Sequence, residues 1–108
     1  MTTQPSIQHL PIDIPLDQIA AFCDRWGIAE LALFGSILTD NFRPDSDVDV
    51  LITFQQPKAL PDREAMRRDL EAIVGRDVDL VYRRVIEATE NYLLRHSILD
   101  SARVIYAA

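Results

Sequence analysis

The chain has 108 residues, 48% hydrophobic and 26% charged, which is the composition of one globular domain and not of a disordered segment. Its 11 basic and 17 acidic residues leave a net charge of −6, which disfavours general nucleic-acid binding, because that needs a clustered basic surface. The single cysteine, Cys23, permits no internal disulfide; no run approaches the ~18 apolar residues of a membrane span. Met1 to Gln8 are polar and lack the apolar core of a secretory leader, so the expected setting is the cytoplasm.

Residues 1–14 carry Pro5 and Pro11 among mixed polar residues and read as an extended arm; residues 15–108 read as the domain. From Pro15, a residue at home in a helix's first turn, Leu16, Ile19, Ala20, Phe22, Cys23 and Trp26 recur at helical spacing up to Gly27. Ile28 to Phe34 is mostly apolar and reads as a buried strand ending at Gly35-Ser36. Ile37 to Ser46 is rich in turn formers and reads as a short helical turn and a loop. Asp47 to Phe54 reads as a second strand, with 55–60 as a connection. Pro61 to Val74 predicts a helix with Met66, Leu70, Ile73 and Val74 inward, stopped by Gly75. Asp77 to Tyr82 is a third strand. Ile86 to Asp100 is helical with a break expected near His96-Ser97, and Arg103 to Tyr106 is a short last strand. Alternating helices and strands predict a layered α/β domain.

Chemistry concentrates in Leu33-Phe34-Gly35-Ser36, followed ten residues later by Asp47-Val48-Asp49. Gly35 lets the backbone turn sharply and approach a ligand closely. Ser36 offers a hydroxyl and an N–H at a helix start, which suits an anionic phosphate. Asp47 and Asp49, two apart on a strand, share one face, where two carboxylates call for a cation; Mg²⁺ matches their hard oxygens. Asp77 and Asp79 open the third strand at the same spacing. If that strand neighbours the second, Asp79 completes a set of three carboxylates able to hold Mg²⁺ for an in-line nucleotidyl transfer, or to act as general base. A Gly-Ser turn or an aspartate at a strand end is common alone; the combination is not.

These residues resemble the minimal nucleotidyltransferases, or MNT domains, of the DNA polymerase β superfamily. The matching stretches are Leu33 to Ser36, Arg43-Pro44-Asp45-Ser46-Asp47-Val48-Asp49-Val50-Leu51 and Val78-Asp79-Leu80-Val81, with a similar cadence from Tyr92 to Tyr106. The resemblance implies a polymerase β-like α/β (α+β) fold, a small mixed β-sheet backed by helices, with Gly35 and Ser36 at the triphosphate of ATP and Asp47, Asp49 and Asp79 as catalytic, Mg²⁺-binding residues. It also implies a partner, a HEPN-domain ribonuclease. In such type VII toxin–antitoxin pairs the nucleotidyltransferase is the antitoxin and moves AMP from ATP to a tyrosine of the toxin, without touching nucleic acid or membrane itself. The chain departs from the family's Gly-Ser-Arg-x-Arg-Gly segment, having Ile37-Leu38-Thr39-Asp40 after Ser36. Each missing charge-assisted bond forfeits ~1.5–3 kcal/mol of nucleotide binding. Arg43 is the candidate to compensate. The departure favours a second reading, a non-catalytic antitoxin that neutralises the toxin by contact. A third, transfer to a small molecule, ranks last because the chain lacks the added domain of such relatives.

The remaining candidates read as structural. Arg63, Arg67 and Arg68 with Asp62, Glu64, Asp69 and Glu71 suit a solvated helix face with i,i+4 pairs. Arg76, Arg83 and Arg84 flank the third strand and read as surface residues. His9 and His96 have no second histidine at ligand spacing, which argues against a zinc site. Cys23, Phe22 and Trp26 read as core, and Tyr92 and Tyr106 as packing near the C-terminal end.

Overall fold

A computed structural model describes residues 10–55 and 61–108. Most of the extended arm and the connection over 56–60 therefore lie outside the described residues, as does His9. Four strands, β1 (Ile28–Phe34), β2 (Val48–Phe54), β3 (Val78–Tyr82) and β4 (Arg103–Ala107), form one sheet in the order β3-β2-β1-β4. β1 pairs antiparallel with β2 and β4, and β2 pairs parallel with β3. The sheet is thus mixed, as the family resemblance implies. A parallel pair cannot be joined by a tight turn, and helix α2 (Arg63–Val74) supplies the crossover.

Alternation along the strands assigns two faces. On the first, Leu31, Leu33, Val48, Val50, Ile52 and Leu80 are buried against Ile19, Phe22 and Cys23 of helix α1 (Leu16–Trp26) and Met66 and Leu70 of α2. Leu16 begins the apolar spacing of α1 but stays 41% exposed, because the first turn lies beyond the sheet-covered stripe. Ile73 and Val74 pack at the margin of this core, as do Leu10, Ile12 and Ile14 from the approach to α1. On the second face, Ala32, Phe34 and Leu51 pack with Ile86 of helix α3 (Arg83–Ala88) and with Ile98 and Leu99 of helix α4 (Tyr92–Ser101).

Helix boundaries follow local chemistry. Asp62, not Pro61, is the N-cap of α2: its carboxylate accepts the N–H groups of Glu64 and Ala65. The break expected near His96-Ser97 falls instead at 89–91, where Thr89 closes α3 and the Asn91 side chain accepts the N–H of Leu94 to open α4. His96 lies inside α4, stacked on Tyr92 with its Nε2 2.8 Å from Asp100. The charged face of α2 carries the Arg67–Glu71, Arg67–Glu64 and Arg68–Glu64 pairs, but three members bond to groups outside the helix. Asp69 accepts from Arg25 and from Trp26 Nε1, at 2.7 Å for the indole. Arg63 donates to the Leu80 carbonyl, and Glu71 accepts the N–H of Val78 at 2.9 Å.

Candidate functional site

The candidate residues gather where β1 ends and β2 and β3 begin. In the antiparallel β1–β2 register Asp49 stands opposite Phe34, the residue before Gly35; in the parallel β2–β3 register it stands opposite Asp79. Asp49 and Asp79 therefore lie side by side on neighbouring strands. They share the second face with Leu51 and Val81, two residues further along. Asp47, just before β2, is exposed; Asp49 is half-buried and Asp79 exposed at the sheet margin.

Gly35 opens a four-residue 3₁₀ helix, Gly35–Leu38, with φ +80°. A Cβ there would fall 2.1 Å from Asp49 Oδ2, so the glycine both turns the chain and leaves room for this carboxylate. Ser36 follows; its carbonyl accepts from both the N–H and the hydroxyl of Thr39, each at 2.9 Å, which closes the turn. Ile37 is buried and Leu38 packs on the first-face core. The two apolar residues in place of the family's basic segment thus anchor the 3₁₀ turn to the sheet.

Asp49 is electrostatically loaded. Burial pushes its carboxyl up to about 6, with the negative charges of Asp79 and then Asp47 adding to the rise. A half-buried carboxylate beside two others is unfavourable until a cation offsets it. Among the described residues no three carboxylate, histidine or cysteine side chains converge to enclose a metal ion. The donors fit an open site instead, where one or two carboxylates share Mg²⁺ with water and substrate phosphates, as that ion prefers. Cys23 is buried, its thiol pushed up to about 12 by desolvation, and belongs to the core.

Arg43 lies in the turn that leads into Asp47, where its N–H bonds to the Ser46 hydroxyl. It lines a cavity of about 240 Å³ with Pro11, Ile12, Phe42, Pro44 and Arg76, and none of Gly35, Ser36, Asp47, Asp49 and Asp79 lines it. Arg76, which the sequence reads as a surface residue, is instead tied to this loop. Its Nη1 donates to the carbonyls of Arg43 and Ser46, and its guanidinium lies 4.7 Å from the centre of the Phe42 ring. No local signal reveals a contact reaching 30 and 33 residues back along the chain.

Comparison with known proteins bears on the family and the fold. The nucleotidyltransferase domain family matches residues 17–105. The chain is 34% identical over 65 residues to the protein adenylyltransferase MntA of Thermococcus cleftensis, spanning 60% of this chain and 66% of that protein's length. Among solved structures, one assigned as a minimal nucleotidyltransferase superposes with a TM-score of 0.63 at 30% identity, covering 81% of this chain and 85% of the other. A toxin–antitoxin crystal structure with AMP-PNP shares the fold at 18% identity, with a TM-score of 0.66, covering 87% of this chain and 74% of the other. With the family matched across nearly the whole domain and the fold matched independently, this chain belongs to the nucleotidyltransferase domain family and to its enzyme class, the nucleotidyltransferases.

Proposed function

We propose that the chain is the antitoxin of a toxin–antitoxin pair and a Mg²⁺-dependent protein adenylyltransferase. In this reading it moves AMP from ATP to a tyrosine of a HEPN ribonuclease partner and so silences it. The observation that carries the reading is the register of Asp49 opposite Asp79, with the Asp49 carboxylate seated against Gly35. The relative named a protein adenylyltransferase and the toxin–antitoxin structure with AMP-PNP support the acceptor class and the nucleotide.

Asp47, Asp49 and Asp79 would hold Mg²⁺, which supplies Lewis acidity at the phosphates and lowers the pKa of the attacking hydroxyl. Gly35 and Ser36 bring backbone close to the triphosphate at the mouth of the site. The acceptor's phenolic oxygen forms a bond to the α-phosphorus while the bond to the pyrophosphate oxygen breaks. Asp79, exposed at the margin, takes the phenolic proton on its carboxylate. Orientation of the acceptor falls to the surface around this margin.

A second reading is neutralisation by contact alone. It is favoured by Ile37, buried in the core, and by Thr39, held on the Ser36 carbonyl, which stand at the two positions where the family's segment carries arginine. Intact mass of the co-purified partner after ATP and Mg²⁺ separates the two. AMP-sized increments with wild type, absent with the Asp47→Ala, Asp49→Ala double variant, are expected. A partner that stays inhibited with no increment would leave contact as the mechanism.

A further inference from the structure

The turn that delivers Asp47 is tied from outside its own segment. Within it, the Arg43 carbonyl accepts the Ser46 N–H at 3.0 Å, and the Ser46 hydroxyl accepts the Arg43 N–H at 2.9 Å. These bonds close the turn on itself but leave its placement open. Arg76, in the link between α2 and β3, donates Nη1 to the carbonyls of Arg43 and Ser46, at 3.2 and 3.3 Å. The Phe42 ring beneath the guanidinium restrains it further. One residue beyond Arg76 and two beyond Ser46, the Val48 N–H meets the Asp77 carbonyl at 2.9 Å, where the β2–β3 ladder starts. Arg76 thus stands at the joint between the two strand entrances that carry Asp47 and Asp79.

We infer that Arg76 is a positioning residue: it clamps the 43–46 turn against the entrance of β3 and so fixes Asp47 relative to Asp49 and Asp79. Guanidinium suits this work because its donors are rigid and planar and its charge is permanent. A bond from a charged donor to a carbonyl is also stronger than a neutral one. Arg76 touches neither nucleotide nor metal in this role; it acts through the backbone. The inference rests on the reading of Asp47 as a metal ligand, and its test is chosen to stand without catalysis.

The test compares wild type with Arg76→Ala and Arg76→Lys by amide hydrogen exchange in the metal-free chain and by titration with Mn²⁺ as the probe ion. Arg76→Ala is expected to speed exchange at the Ser46 amide about tenfold while β1 and β2 amides keep their protection. Mn²⁺ affinity is expected to fall about tenfold, the size found when outer-shell partners of metal ligands are removed. Arg76→Lys, which keeps the charge and loses the fork, is expected to lie between. Unchanged exchange at Ser46, unchanged Mn²⁺ affinity, or loosening spread evenly over the sheet would overturn the inference. If Arg76→Ala does not fold, Arg76→Lys decides: faster Ser46 exchange with an intact sheet supports the clamp, and wild-type exchange overturns it. A chain that transfers no AMP yet gives the expected exchange and affinity changes refutes the proposed function and keeps the clamp.

Discussion

Gly35 and Asp49 constrain each other more tightly than any other pair at the site. The carboxylate occupies the space a Cβ would need, and the backbone at Gly35 sits in the left-handed region. Gly35→Ala is therefore expected to displace Asp49 and to reduce transfer far more than stability. The backbone strain amounts to about 1–3 kcal/mol, measurable by urea unfolding beside the rate. The sequence already marks Gly35 as a sharp turn, but the reason for its smallness, a carboxylate arriving from 14 positions later, appears only in three dimensions.

Asp49 itself is a liability to the metal-free fold, since burial and two neighbouring carboxylates oppose its charge. Asp49→Asn should melt several degrees above wild type at neutral pH without metal, at about 4–8 °C per kcal/mol for a domain near this size. An unchanged or lower melting temperature would mean the charge is not the dominant strain. Cys23 gives a second residue-scale test. Its folded thiol titrates near 12 against 9.0 for an ordinary thiol, so it stays neutral and inert at pH 8. The sign follows from linkage: the neutral buried thiol adds no pH dependence below 9.0, and stability falls as pH rises from there towards 12. Thiol reagents should label Cys23 at the unfolding rate and not faster.

At the scale of elements, α2 places β3 beside β2, and its ends show how local chemistry sets the boundaries. Asp62 accepts two backbone N–H groups at the start, and Glu71 near the end accepts the N–H of Val78 and pairs with Arg67 at 2.5 Å. Asp62→Ala should cost about 1 kcal/mol of stability, read as a lower urea midpoint with unchanged slope. Helical spacing located α1 and α2 from sequence because each buries one stripe on the sheet. The division between α3 and α4 was misplaced for the complementary reason: α4 has no fully buried residue, so its periodicity is weak and its start is set by Asn91. The Thr89-Glu90-Asn91 capping chemistry was present in the sequence, but apolar residues on either side masked it. Glu71 and Arg76 were read as surface charges because their backbone partners lie in other elements.

For the whole molecule, the strand order β3-β2-β1-β4 explains why so short a chain can carry a site. One face of the sheet is covered by α1 and α2 and supplies most of the core. The other is covered by α3 and α4 over Ala32, Leu51 and Val81, with Asp49 and Asp79 two residues back along their strands on the same face and Phe34 of that cluster opposite Asp49. Asp49 and Asp79 stand side by side there, with Asp47 just before β2, because the parallel pair starts its strands at the same end. That adjacency was legible in the Asp-x-Asp and Val-Asp-Leu-Val patterns as a condition on strand order, and the sheet fulfils it. The position of Arg43 was not legible, because a loop side chain's direction depends on what packs beneath it.

The most direct measurement is transfer of label from ATP carrying ³²P at the α-phosphate, with ATP labelled at the γ-phosphate in parallel, using the chain co-expressed with the HEPN protein proposed as its partner, and Mg²⁺. The account predicts α-label on the partner, no γ-label, and loss of transfer in Asp79→Asn with the complex still assembled. Label from the γ-phosphate, or α-label that persists in Asp79→Asn and in the Asp47→Ala, Asp49→Ala variant, would contradict it.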